Sequence, residues 1–155
     1  MAKHKHEDGH ECEVCRDGVE VVQKKETEMI QKYGWFVHFV PGSDVPYGLN
    51  IHTHGLFEVL DHLDLQICVA MDPQTAHNIL GEVIEDHIKN GEKFVAGEKY
   101  EKIIGNGYKV LFLNAKEGDR NVLRLIFPDK DGGFDGPMSK QLEGCEIPKD
   151  LKLSA

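Results

Sequence analysis

Five metal-binding side chains crowd the start of the chain: His4, His6, His10, Cys12 and Cys15, in the run HKHEDGHECEVC. Imidazole nitrogens and thiolates are the donors zinc takes four at a time in a tetrahedron. The Cys12-x2-Cys15 spacing lets a single turn of chain present both thiolates to one ion. His10 supplies a third donor and His6 or His4 a fourth, so the expected ligand set is His6, His10, Cys12 and Cys15. Four protein ligands leave no open position, and such a zinc orders the chain around it without doing chemistry. Two other readings compete. Cys15 precedes an expected helix start, where a thiol pKa falls, but the β-α-β surroundings of a redox pair are missing. The segment also reads as a plain His-rich leader with adventitious affinity for metals.

A second constellation is His52-Thr53-His54. Alternate residues of a strand share a face, so two imidazoles project together from a rigid support. His38 on the preceding strand is a candidate third donor. Register decides the matter, and a hairpin symmetric about the Gly42–Pro46 turn is expected to place His38 opposite. His62 lies beside Asp61 and Asp64, where a carboxylate can fix an imidazole tautomer and raise its basicity. His52, His54, His62 and Asp64 are therefore the catalytic candidates. The alternative for each is local hydrogen bonding at a strand end. His77 reads as a core-edge residue, and His87 as a ring near a helix C-terminus. Asp129, Asp131 and Asp135 with their glycines are a poor match to a calcium loop, because Lys140 stands where the bidentate Glu belongs. They read as a surface turn.

These side chains need elements to hold them. A helix is expected from Asp17, with Val22, Met29, Ile30 and Tyr33 on one face and Gly34 as its stop. Trp35–Val40 and Tyr47–His54 read as a hairpin around PGSDVP. Asp64–Met71 reads as a buried central strand. Asp72 and Pro73 open a helix with an apolar stripe from Ala76 to Ile88, ended by Asn90-Gly91. Tyr108–Asn114 and Val122–Pro128 form a second hairpin across the turn AKEGDR. The order implies an α+β fold, an antiparallel or mixed sheet with two main helices in one compact domain. Its divisions are a His/Cys-rich segment over residues 1–16, a domain over 17–137, and a polar, loosely held tail over 138–155.

Composition narrows the function classes. The 155 residues carry a formal net charge of -9 with neutral His, which repels nucleic-acid backbones and anionic membrane surfaces. No apolar run is long enough to span a bilayer, and the start of the chain lacks a signal-peptide core, so the expected location is cytoplasmic. In that compartment the four cysteines suit metal binding or free thiols better than disulfides. Cys68, inside LQICVAM, is expected to be a buried and inert thiol. The expected partners are a small-molecule ligand of unknown kind and a possible second copy of the chain, with no nucleic acid and no membrane.

Several segments in order carry a family resemblance. They are Cys12-x2-Cys15, Tyr33-Gly34-Trp35, Tyr47 with Thr53-x-Gly55-Leu56, His62-Leu63-Asp64-Leu65, and Phe127-Pro128-Asp129-x2-Gly132. The chain resembles the bacterial domain-of-unknown-function family numbered 4262 over nearly its whole length. It departs from the family pattern at His52, where the family usually has Tyr, and at Leu63 and Asp64, which replace Pro and Glu. Phe134-Asp135 lacks the usual Pro-Trp continuation. The resemblance implies one compact domain and adds weight to the cysteine pair, and it implies no reaction.

Three functions follow from these residues. The first is a metal-binding protein with structural zinc at the N-terminal cluster. The second is a metal-dependent, hydrolase-like enzyme using His52 and His54, with His62 or Asp64 as general base. The third is a metal-free small-molecule or protein-binding module whose pocket is lined by Trp35, Tyr47 and His54.

Overall fold

The computed structural model describes residues 24, 25, 28, 32, 34–41 and 49–155. The N-terminal His/Cys segment and the Gly42–Pro46 turn lie outside them. Lys24, Lys25, Glu28 and Lys32 are helical and exposed, the spacing of a solvent-facing helical stripe within the expected first helix.

Strand β1 (Phe36–Pro41) pairs antiparallel with β2 (Leu49–His54), which pairs antiparallel with β3 (Asp64–Ile67). The short helix α1 (Leu56–Leu60) turns the corner between β2 and β3, entered through Gly55 at φ 105° and left through Asp61 at φ 53°. Glycine meets the first of these left-handed positions without the Cβ penalty that Asp61 bears. Helix α2 (Pro73–Glu82) starts as its sequence predicts, with the Asp72 carboxylate accepting from the Thr75 N–H at 3.1 Å. The helical path continues to Asn90, but its winding changes to a π turn over Val83–His87 and a 3-10 turn over Ile88–Asn90. The chain then forms β4 (Lys99–Tyr100), β5 (Val110–Glu117) and β6 (Arg120–Ile126). None of the described helices is long and apolar enough to cross a membrane.

The six strands form one mixed sheet in the order β1-β2-β3-β6-β5-β4. Only β3 and β6 run parallel. The architecture is the α+β class the element order implies. Strand β4 has no signal of its own, because two residues cannot display an alternation. The second hairpin is tighter than AKEGDR suggests: pairing continues to Glu117 and Arg120, which leaves Gly118 and Asp119 as a two-residue loop. Gly118 sits at φ 59°, the left-handed first position that suits the twist of such hairpins.

Alternation in β5 and β6 divides the apolar side chains between two faces. Val110, Phe112, Leu123 and Leu125 meet Ile51, Leu65 and Ile67 under Ala76, Leu80, Val83 and Ile84 of the α2 path. Leu111, Leu113 and Ile126 lie on the other face with Phe134. The C-terminal stretch was expected to hang loosely, and here the structure differs. Leu142, Cys145, Leu151 and Leu153 pack on that second cluster. The Phe134 N–H donates to the Leu153 carbonyl at 2.6 Å, and the Glu146 N–H to the Asn114 carbonyl at 2.8 Å. Polar composition hid widely spaced leucines that cap the apolar part of this face.

Gln141 fastens the stretch. It is fully buried, and its amide donates to the Phe127 carbonyl at 2.7 Å while accepting from the Phe127 N–H at 2.9 Å. Gln141→Leu keeps the volume but strands both backbone groups. It is expected to cost about 1–3 kcal/mol in urea unfolding, with the native circular dichroism retained.

Candidate metal centre

The β1–β2 register pairs Phe36 with His54 and His38 with His52. Residues paired across antiparallel strands share a face, so His38, His52 and His54 project from the same side of the sheet. The expected placement of His38 opposite is thereby corrected. An even offset keeps it in phase with His52, and only a slip of one residue would remove it. One ring nitrogen from each histidine lies within 4.8 Å of the other two. Among the described residues this is the one group of His, Cys, Asp or Glu side chains so placed. Phe36 stacks on the His54 ring at 4.9 Å between centroids, which fixes that imidazole from its outer side.

Hydrogen-bond logic assigns the protonation of His52. Arg124, 4% exposed, has only donors, and its Nε donates to Gln66 Oε1 at 2.7 Å. Gln66 must therefore turn its Nε2 towards Asn50 Oδ1, at 3.2 Å. That oxygen can only accept, so His52 Nδ1, 3.1 Å away, carries the proton. The free lone pair of His52 is then on Nε2. His52 Nε2 and His54 Nε2 are both buried and without a hydrogen-bond partner. Burial, reinforced by the neighbouring His38 and Arg120, pushes His52 down to about 3. Burial, Arg120 and the two companion rings push His54 down to about 4, against a smaller opposing pull from Glu117. Both rings are neutral at pH 7, the form in which imidazole binds a metal. Glu117 Oε1 stands 3.7 Å from His52 Nε2, too far for a hydrogen bond, and with His52 neutral the two do not form an ion pair.

The remaining sequence candidates fall elsewhere. His62 has both nitrogens engaged by backbone: Nδ1 donates to the Leu63 carbonyl at 2.7 Å, and Nε2 accepts from the Phe94 N–H at 3.1 Å. Asp64 accepts from the Thr53 hydroxyl at 2.9 Å, the Leu56 N–H at 3.1 Å and Arg120 at 3.2 Å. It holds the β2–α1 corner together, and burial raises its pKa. Trp35 cannot share a pocket with His54. It faces the α2 side, donating to Glu85 at 3.0 Å and meeting His77 at 5.9 Å between ring centroids. His87 pairs with Glu92 at 3.0 Å. The Asp129–Asp135 turn spends two of its three carboxylates on its own backbone, with Asp129 accepting from Gly136 and Asp131 from Gly133, both at 3.0 Å. The thiol of Cys68 is buried and pushed up to about 11. Tyr47 and the set His6, His10, Cys12 and Cys15 lie outside the described residues.

Sequence reasoning missed Asn50, Gln66, Glu117 and Arg124. The signal was there in part: a charged residue inside VLRLIF and an amide inside DLQIC interrupt buried strands. Which polar groups they meet depends on strand order, which the sequence does not print.

Comparison with known proteins gives one match. Residues 29–138 fit the family model described as a domain of unknown function, DUF4262. No curated protein and no solved structure matches the chain. The match takes in β1 to β6, the three histidines of the cluster, and Asn50, Gln66, Glu117 and Arg124. The chain belongs to the DUF4262 family.

Proposed function

We propose that this chain is a metal-binding protein whose ion, zinc by ligand preference, is held by His38, His52 and His54. The observation that carries the reading is the pair of buried, unpartnered Nε2 atoms on His52 and His54. A buried acceptor without a partner costs on the order of 1–3 kcal/mol, and a metal ion supplies the missing bond. A ligand histidine is usually oriented by donating its Nδ1–H to a neighbouring oxygen, and Asn50 provides that oxygen. Tetrahedral zinc holds its nitrogens about 3.4 Å apart, so the exposed His38 ring has to rotate inwards.

Three protein ligands leave a fourth position open, as catalytic zinc sites do. A bound zinc would supply Lewis acidity for hydrolysis. Glu117 is the nearby carboxylate that can take a proton, replacing His62 and Asp64 in that role. Its other oxygen is held by Arg120 Nε at 3.5 Å, which aims Oε1 at the cluster.

Elemental analysis of tag-free protein tests the assignment. One equivalent of metal is expected in the wild type and in the double variant Cys12→Ser/Cys15→Ser, and none in His52→Ala/His54→Ala. Metal lost with the cysteines and kept without the histidines overturns the assignment in favour of the N-terminal quartet. Asn50→Ala is expected to weaken zinc binding by about 10–100-fold in a chelator competition, because His52 loses its orienting acceptor.

Acid gives a separate check on the metal-free protein. The unfolded chain protonates its histidines near pH 6.5, while native His54 and His52 resist to about 4 and about 3. The unfolded state therefore binds more protons across that window, and stability falls as pH falls from 6.5. Each ring contributes a slope of at most about 1.4 kcal/mol per pH unit. The raised Asp64 pKa opposes part of this at the acid end. Urea midpoints between pH 7 and pH 4 are expected to drop steeply in the wild type and less steeply in His52→Gln. Equal slopes in the two proteins would sink the buried-neutral description.

A further inference from the structure

Beside the imidazole cluster lies a cavity of about 490 Å³, lined among others by Asn50, Gln66, Cys68, Glu117, Arg124 and Glu143. Asn50 and Glu117 belong to both, since each also stands next to His52. Arg124 is the unusual member. It is 4% exposed, and all its oxygen partners are neutral: Gln66 Oε1, and the carbonyls of Gln141 and Glu143 at 2.8 and 2.5 Å from Nη1. Among the described residues no carboxylate pairs with it. A buried cation with no counter-charge is expensive, and carbonyl dipoles offset only part of the cost. The guanidinium also meets the Cys145 sulfur, a weak acceptor, while no oxygen of the described residues accepts from Nη2, and Arg124 lines the cavity.

We infer that this cavity binds a small molecule through a carboxylate group, with Arg124 as the residue that receives the carboxylate. The volume lies within the range of small-ligand sites. A guanidinium end that no oxygen of the described residues occupies suits a single negative charge. A phosphate dianion would bring a second negative charge into a space lined by Glu117 and Glu143. Glu117 is already turned towards Arg120 and His52, and the raised Cys68 thiol stays protonated and uncharged. Lys116, exposed at the cavity rim, adds attraction for an incoming anion. That this carboxylate belongs to the substrate of the metal centre rests on the zinc reading; its binding does not.

The probes are sodium propionate and inorganic phosphate, titrated into the full chain with ionic strength held constant by sodium chloride. Thermal midpoint is the readout. Propionate is expected to give a saturable rise that chloride does not give. Lys116→Glu, a change at an exposed position, is expected to weaken propionate about fivefold or more. Val40→Trp, at an exposed residue that lines the cavity, is expected to remove the response. Arg124→Gln is expected to remove it also, and the two rim variants keep the test decisive where that protein does not fold. His52→Ala/His54→Ala is expected to retain propionate binding, so a failed metal assignment leaves this site standing. No rise beyond chloride overturns the proposal. So does a rise that is unchanged in both rim variants, or phosphate binding tighter than propionate.

Discussion

Arg124 gives direction to the polar layer of this protein. A guanidinium has donors and no acceptors, so the group it meets first has no choice of orientation. Gln66 turns its oxygen to the cation and its nitrogen outwards, Asn50 answers with oxygen, and His52 answers with N–H. The outcome is a lone pair on His52 Nε2 that no protein group uses. Three links of hydrogen bonding thus carry the polarity of one arginine across β6, β3 and β2 to the imidazole cluster. A neutral residue at position 124 would leave both amides free to flip and the histidine tautomer undetermined.

The sheet makes this chain of contacts possible. Parallel pairing of β3 with β6 brings Gln66 level with Arg124, and antiparallel pairing of β2 with β3 brings His52 level with Gln66. The three side chains form a row across the strands. Helices cover the other side, where Ile51, Leu65 and Ile67 alternate with these polar residues. The strands therefore separate two kinds of interior, one apolar throughout, the other apolar under the C-terminal stretch and polar where it borders a cavity. The apolar face stabilises the fold, and the polar face sets the chemistry.

Much of the scaffold could be read in advance, and the reason is local. Asp72-Pro73 announces a helix start by capping chemistry, and β-branched and aromatic runs announce β1, β2, β3, β5 and β6. His52 and His54 were legible as a same-face pair because strand periodicity needs no tertiary information. Their third member was not, since His38 joins them only through a cross-strand register that its turn sequence does not specify. The roles of Arg124, Gln66 and Glu117 were hidden for the same reason at longer range. His62 and Asp64 show the converse: both look reactive beside each other in sequence, and both are consumed by backbone and hydroxyl partners once the β2–α1–β3 corner folds. The C-terminal stretch misled through composition, because four spaced apolar side chains suffice to dock it.

That docked stretch sets the timing of assembly. The carbonyls that hold the Arg124 guanidinium come from Gln141 and Glu143, far along the chain from β2. During synthesis the β1–β2 hairpin leaves the ribosome with its histidines unoriented. The arginine that orients His52 arrives with β6, and the clamp on that arginine arrives later still. A nascent chain therefore exposes its imidazoles well before it can position them, and the finished centre is a late product of translation.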